Sequence, residues 1–251
     1  MMVTYSIVFF SDKLYVYTLP QKFKKKKEIM KKKINLNCFT GAILDVDGTL
    51  LDSMPIWYDA GARVLTALGV TPEPGLGDLL FNMTLDQSSS YLKTHYHLTL
   101  SIEEIQQTIL DEIAAFYRNT APLKPGALAF VRTLSAQMPL AVASVGDRTL
   151  IRAAFSRLNI LDCFSAVLTD QDPEIRAGKS SPKIFLATAD ALHSKPTSTL
   201  VVEDNLTAVT TAHTAGFPTL AVYDPANRED WPEIARIADT AVPSFEALTL
   251  A

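Results

Sequence analysis

The chain has 251 residues, of which 48% are hydrophobic and 20% charged, a composition typical of a soluble globular protein. No apolar run reaches the roughly 20 residues that span a bilayer, and two cysteines, Cys38 and Cys163, are too few for a disulfide framework, so we expect a cytoplasmic protein without a membrane partner. Nine lysines and two acids lie in residues 1–33, whereas the remainder carries 14 basic and 25 acidic residues. This acidic balance disfavours nucleic acid as a partner.

Residues 1–37 differ from the rest of the chain and are predicted to be a disordered extension. Their apolar first half is interrupted by two charged residues and lacks the basic start and the cleavage site of a signal peptide. Two lysine runs follow, and their contact with anionic lipid or RNA is the alternative. Because Met30 precedes three lysines, as at a bacterial translation start, we predict that residues 1–29 are absent from the natural product, which an intact-mass measurement would test.

Five short apolar runs predict strands that are buried on both faces: Gly41–Leu44, Pro139–Ala143, Ala166–Thr169, Thr199–Val202 and Pro218–Val222. Helical patterns alternate with them at Arg148–Leu158, Pro182–Leu192 and Leu206–Ala215. This alternation predicts an α/β fold built on a doubly wound parallel sheet.

The interval between the first two predicted strands is about 95 residues, far longer than the dozen or so of a normal crossover. It carries helical patterns at Pro55–Leu68, Leu85–Tyr96 and Ile102–Tyr117, the last opened by a capping box of Ser101 and Glu104. We therefore predict a helical cap domain over residues 54–122, inserted into a core domain formed by residues 38–53 and 123–251.

Polar side chains follow three of the predicted strands, where ligands of an open parallel sheet bind. The first strand ends in Asp45 and Asp47, the second in Ser144 and the fourth in Glu203 and Asp204, and Lys179 lies in a loop that opens a helix. Carboxylates that converge in this way repel one another unless a cation neutralises them. Oxygen ligands favour Mg²⁺ bound by the four acids just named.

A carboxylate beside a metal ion and a lysine can attack phosphorus and form an acyl phosphate. An acid two residues farther along a strand lies on the same side, where it can protonate the leaving oxygen and then activate water. Ser144 and Lys179 would stabilise the transferring phosphoryl group. Gly48 would allow a sharp turn that brings N–H groups to the phosphate, with Thr49 beside it in the predicted phosphate site.

The segment Asp45–Ser53, DVDGTLLDS, resembles the first motif of the haloacid dehalogenase superfamily. Ser144 after an apolar strand resembles the second motif, Gly178–Phe185 the third, and Val202–Asn205 followed by an Ala-Gly-Phe sequence the fourth. The order and spacing match over residues 40–225, and the helical insertion resembles the cap of the phosphatase and β-phosphoglucomutase-like branch.

This resemblance implies that Asp45 is the nucleophile and Asp47 the general acid and base. It also implies that Mg²⁺ is held by the Asp45 side chain, the Asp47 carbonyl and Asp204, with help from Glu203. Mutases of this branch commonly carry a histidine in the cap hinge, and residues 55–58 contain none, which favours hydrolysis.

We therefore predict a phosphatase that acts on a small phosphorylated metabolite, a sugar phosphate or a nucleotide. The sequence leaves the oligomeric state open, and a monomer is compatible with it. The alternatives are a phosphosugar mutase and, outside enzymes, a receiver-like phosphorylation switch, although such a module is about half this length and has no cap. Trp57, Tyr58, Phe81 and Met83 could line the substrate side of the cap or belong to its own core. Asp147 and Arg148 are interpreted as a helix start rather than as substrate contacts.

Overall fold

The structure is a computed structural model and describes Tyr5–Phe10, Lys13–Thr18, residues 32–81 and residues 83–251. The chain divides into two units, Met1–Met30 and Lys31–Ala251. In the first unit β1 (Tyr5–Phe10) pairs antiparallel with β2 (Lys13–Thr18), where the sequence predicted a disordered tail. Aromatic and β-branched residues, which favour strands, explain this correction. The lysine run at 24–27, for which disorder was also predicted, lies outside the described residues.

The second unit is built on a six-stranded sheet in which all pairings are parallel, with the strand order β6-β5-β4-β7-β8-β9. Its strands are β4 (Gly41–Leu44), β5 (Leu140–Ser144), β6 (Phe164–Thr169), β7 (Thr199–Glu203), β8 (Thr219–Val222) and β9 (Thr240–Val242). The four inner strands are buried at every position, which agrees with their unbroken apolar sequences. The predicted doubly wound α/β fold is confirmed.

Helices cover both faces of this sheet: α5 (Ala127–Ser135), α6 (Arg148–Arg157), α7 (Lys183–Ala191), α8 (Leu206–Thr214) and α9 (Trp231–Ile237). On one face Leu44 belongs to the same buried cluster as Phe130 and Phe155 of α5 and α6. On the other face its strand neighbour Ile43 packs in a cluster with Phe185 of α7. Adjacent strand residues therefore serve opposite faces, as the pleat requires.

The folded body begins at Lys32, not at residue 38 as the sequence predicted. Strand β3 (Lys32–Ile34) pairs in parallel with β10 (Leu248–Leu250), and Ile34 and Leu36 are buried in the main cluster. The sequence analysis missed this strand because the charges of Lys32 and Lys33 are typical of a solvated tail. Its pairing partner lies at the other end of the chain, which local patterns cannot reveal.

The insertion between β4 and α5 contains four helices: α1 (Met54–Ala67), α2 (Leu76–Phe81), α3 (Leu85–His95) and α4 (Ile102–Asn119). We call residues 54–122 the cap. The predicted capping box of Ser101 and Glu104 opens α4, and a second one of Thr84 and Gln87 opens α3. The prediction missed α2, which is six residues long and contains a helix-disfavouring glycine. No helix within the described ranges is long and apolar enough to cross a membrane.

Candidate active site

Three carboxylates meet at the carboxyl ends of β4 and β7, because these two strands are neighbours in the parallel sheet. The Asp45 N–H donates to the carbonyl of Val202 at 3.0 Å, which aligns the two strand ends. One oxygen each of Asp45, Glu203 and Asp204 lies within 4.8 Å of the others, and all three residues are buried. We call these three residues the carboxylate cluster.

Lys179 is the cation of this cluster. It lies in the loop before α7, and its Nζ donates to both Asp45 Oδ1 and Glu203 Oε1. Burial alone would lower the pKa of Lys179, but the charges of Asp45 and Glu203 outweigh burial and raise it. Lys179 is therefore protonated at neutral pH and holds the two carboxylates toward one point.

One lysine does not neutralise the carboxylate cluster. Burial, followed by the charge of Asp45, raises the pKa of Glu203 to about 7. Burial and the charges of Glu203 and Asp45 raise the pKa of Asp204 well above its usual range. Thr49 Oγ1 and Asn227 Nδ2 donate to the two oxygens of Asp204 at 2.6 and 2.7 Å. A buried set of oxygen donors with this shortage of positive charge fits a divalent cation.

Asp47 occupies a different environment from the carboxylate cluster. Asp47 is half-buried, and its Oδ1 accepts hydrogen bonds from Ser53 Oγ at 2.6 Å and from the hydroxyl of Tyr117 on α4. Burial and the nearby Asp45 charge raise the pKa of Asp47 to about 6, although both hydrogen bonds lower it. A carboxyl group with this pKa can both release and accept a proton near neutral pH. The metal contact predicted for Asp47 through its carbonyl stays a prediction.

Gly48 lies where the backbone passes close to the carboxylate cluster. Its φ is +77°, and a Cβ at this position would stand 2.4 Å from Asp204 Oδ2. The Gly48 N–H donates to the Leu51 carbonyl at 3.1 Å. What Gly48 supplies here is thus a tight turn and clearance for Asp204, and its predicted phosphate contact stays a prediction.

Lys124 holds the turn at Gly48 in place, a role that the sequence analysis missed. Its buried Nζ donates to the Gly48 carbonyl at 2.6 Å, the Tyr223 carbonyl at 2.7 Å and Asp224 Oδ2 at 2.8 Å. The lysine ends the linker that returns from the cap, so it ties that linker to the loops after β4 and β8. An isolated lysine before a proline gives no sequence signal for this role.

A cavity of about 410 Å³ opens over these groups and brings together the predicted catalytic residues. Asp45, Asp47, Ser144 and Lys179 all line it, together with both acids of the fourth motif. Thr49 is fully buried, and its hydroxyl donates to Asp204 and, at 3.3 Å, to Asp45. The Thr49 hydroxyl is therefore engaged with two carboxylates, and the predicted phosphate contact of Thr49 stays a prediction.

Two further side chains of the site were not found from the sequence. Tyr117 was placed at the end of a predicted helix without a role, and Asn227 ends a short 3-10 helix after β8, Pro225–Asn227, that carries no motif. Their contacts with Asp47 and Asp204 depend on the packing of distant segments. Asp147, in contrast, caps α6 by accepting from the N–H groups of Thr149 and Leu150, so its interpretation as a helix start is confirmed.

Comparison with known proteins finds phosphatases among the relatives of this chain. A relative from Drosophila melanogaster named "probable pseudouridine-5'-phosphatase" is 31% identical over 196 residues, which are 74% of this chain and 82% of the relative. Hexitol phosphatase B of Escherichia coli K12 is 24% identical over 214 residues, 83% of this chain and 93% of that protein.

The fold is also shared with a solved structure. The crystal structure of a β-phosphoglucomutase candidate from Thermotoga maritima superposes with a TM-score of 0.73 at 22% identity, and the match covers 83% of this chain and 96% of that one. The model of the haloacid dehalogenase-like hydrolases matches residues 39–216, which contain the first three motifs and the Val202–Asn205 segment of the fourth. The chain belongs to the haloacid dehalogenase-like hydrolase family.

Proposed function

We propose that the chain is a magnesium-dependent phosphatase that hydrolyses a small phosphorylated metabolite, a sugar phosphate or a nucleotide, through an aspartyl phosphate on Asp45. The observation that carries this proposal is the pair of acids with separate environments. Asp45 is paired with a protonated lysine, whereas Asp47 is hydrogen-bonded and has a pKa of about 6. Membership of a hydrolase family and the phosphatase names of its relatives support the same chemistry.

In the first step a carboxylate oxygen of Asp45 attacks phosphorus, and the bond between phosphorus and the leaving oxygen breaks. Asp47 gives its proton to that oxygen, so the alcohol leaves neutral. Lys179 lies against the Asp45 carboxylate and would balance the charge of the transferring phosphoryl group, with Ser144 as a hydrogen-bond donor to it.

In the second step a water molecule attacks the phosphorus of the aspartyl phosphate. Asp47, now ionised, takes a proton from this water, and the bond between phosphorus and Asp45 breaks. The products are inorganic phosphate, the free Asp45 carboxylate and a protonated Asp47, so the enzyme returns to its starting state. A pKa near 6 suits both duties of Asp47.

The carboxylate cluster would hold Mg²⁺ together with the Asp47 carbonyl: Asp45 and Asp204 would be direct side-chain ligands, and Glu203 would assist. The ion would neutralise the repulsion between Asp45 and the incoming phosphate. We also propose a cytoplasmic location, because Cys38 and Cys163 are free thiols.

The test is the release of inorganic phosphate from a panel of nucleoside 5'-phosphates, hexitol phosphates and fructose 1-phosphate. Release should require Mg²⁺, stop with EDTA and disappear in Asp45→Asn. Asp52→Asn, an exposed acid in the same segment, should keep activity within about twofold. Full activity of Asp45→Asn would refute the proposal. Conversion of a hexose 1-phosphate without phosphate release would identify a mutase instead.

A further inference from the structure

A second cavity adjoins the cavity of about 410 Å³ over the carboxylate cluster, beside Asp47, the proposed general acid. Its volume is about 390 Å³, within the range of small-molecule sites. Both cavities are lined by Asp47, Met54, Phe81 and Val145. A phosphate ester held at Asp45 would therefore project its alcohol part past Asp47 into this second cavity, which we call the cap cavity.

The cap cavity has an apolar wall that is open to solvent. Trp57, Phe81, Leu110 and Val145 line it, and they are 42%, 39%, 45% and 50% exposed. They are half of the large hydrophobic side chains that are exposed in the described part of the chain. Their concentration beside the general acid indicates a surface that a ligand covers.

This wall offers little to a polyhydroxylated leaving group. Apart from Asp47, the polar groups among the described side chains lining the cap cavity are the Ser88 hydroxyl, which already donates to the Leu85 carbonyl at 3.0 Å, and the single indole N–H of Trp57. An acyclic polyol carries a hydroxyl on almost every carbon atom. Burying those hydroxyls without partners costs binding energy.

Polar groups lie next to the apolar wall, in a neighbouring cleft of about 500 Å³. Trp57 and Leu110 belong to both walls. The cleft adds these polar residues: Gln107, Asp111, Tyr117, Arg118, Asp147 and Gln171. A flat ring could place an apolar face against the apolar wall of the cap cavity and its polar edge in the neighbouring cleft. A plain alkyl chain would leave the polar residues of the cleft without a ligand contact.

We propose that the alcohol part of the substrate carries a planar heterocycle that packs against Trp57 in the cap cavity, so the preferred substrates are nucleoside-type phosphate monoesters rather than polyol phosphates. This inference rests on the proposed phosphatase function. The sequence left Trp57 and Phe81 open between the substrate side and the core of the cap, and their exposure assigns both to the substrate side.

Uridine 5'-monophosphate and ribose 5-phosphate form a matched pair, because they share the reacting phosphate and the ribose and differ in the base. We expect kcat/KM to be about tenfold higher for uridine 5'-monophosphate, because stacking of a base on an aromatic side chain contributes enough binding free energy for such a difference. Trp57→Ala should remove most of this difference, because it should lower kcat/KM for uridine 5'-monophosphate more than for ribose 5-phosphate. Leu110→Ala should reduce the difference in the same direction. Leu79→Ala, equally exposed on the cap but outside the cavity, should leave it intact.

Binding separates this inference from the proposed function. The affinity of Asp45→Asn with Mg²⁺ for the same two compounds is measured by calorimetry. Equal kcat/KM values and equal affinities, or faster turnover of sorbitol 6-phosphate, would overturn the inference while Asp45-dependent phosphate release still upheld the phosphatase. No phosphate release from any compound, with tighter binding of uridine 5'-monophosphate than of ribose 5-phosphate, would overturn the phosphatase and uphold the ring preference.

Discussion

The Tyr117 hydroxyl should set the pH dependence of the proposed reaction. Tyr117 projects from α4 of the cap and donates to Asp47, and this hydrogen bond lowers the pKa of a carboxyl group that burial raises. Tyr117→Phe removes the donor and keeps the ring. Asp47 retains one donor, Ser53, so its ionised form loses part of its stabilisation and its pKa rises.

A hydrogen bond to a charged group contributes about 1.5–3 kcal/mol. One pKa unit corresponds to 1.36 kcal/mol, and because Asp47 is half-buried we take the lower end of that range. The pKa of Asp47 should therefore rise by about one unit above its value of about 6. Asp47 must be protonated to act as general acid, so kcat/KM falls as the pH rises through its pKa. In Tyr117→Phe this alkaline limb should move about one unit higher.

The assay is the pH profile of kcat/KM at saturating Mg²⁺, between pH 5 and 9, for the wild type and Tyr117→Phe. Tyr96→Phe is the matched control, because the Tyr96 hydroxyl accepts from the Glu73 N–H within the cap and does not contact Asp47. Its profile should coincide with that of the wild type. Identical alkaline limbs in wild type and Tyr117→Phe, with unchanged circular dichroism, would refute the assignment of Asp47 as general acid.

Three other expectations follow from the same geometry. Gly48→Ala places a Cβ against Asp204, so it should weaken Mg²⁺ binding in a metal titration and lower activity by at least about 100-fold. Gly69→Ala is the control: its φ is +74° and it has open space, so it should cost only about 1 kcal/mol of stability. Lys124→Met leaves the buried Asp224 carboxylate unpaired and should lower the unfolding free energy in urea by about 3–5 kcal/mol; an unchanged midpoint would contradict this. The raised pKa values of Glu203 and Asp204 mean that the folded state binds protons more tightly than the unfolded state. The metal-free protein should therefore gain stability as the pH falls from 7.5 to 5.5, and Mg²⁺ should raise Tm more at pH 7.5 than at pH 5.5. Equal Tm values of the metal-free protein at both pH values would contradict this.

The sequence by itself determined the parts of this protein that local chemistry specifies. Unbroken apolar runs such as Thr199–Val202 predicted buried parallel strands, because a strand covered on both faces cannot alternate with polar residues. The motifs around Asp45, Ser144, Lys179 and Glu203 predicted which side chains meet, since the carboxyl ends of parallel strands lie at one edge of the sheet. Helix starts were equally readable where a cap residue and its partner lie three positions apart.

Only the tertiary structure decided the contacts between segments that lie far apart along the chain. The β3–β10 pairing joins the two ends of the folded body, and neither short strand is recognisable alone. Tyr117 reaches Asp47 across 70 positions, and Lys124 reaches Asp224 across 100, through loops whose geometry depends on packing. The exposure of Trp57 also depends on how the cap helices pack, since its sequence neighbours fit a buried or an open face equally. Local patterns therefore specified the reacting groups, while packing specified their surroundings.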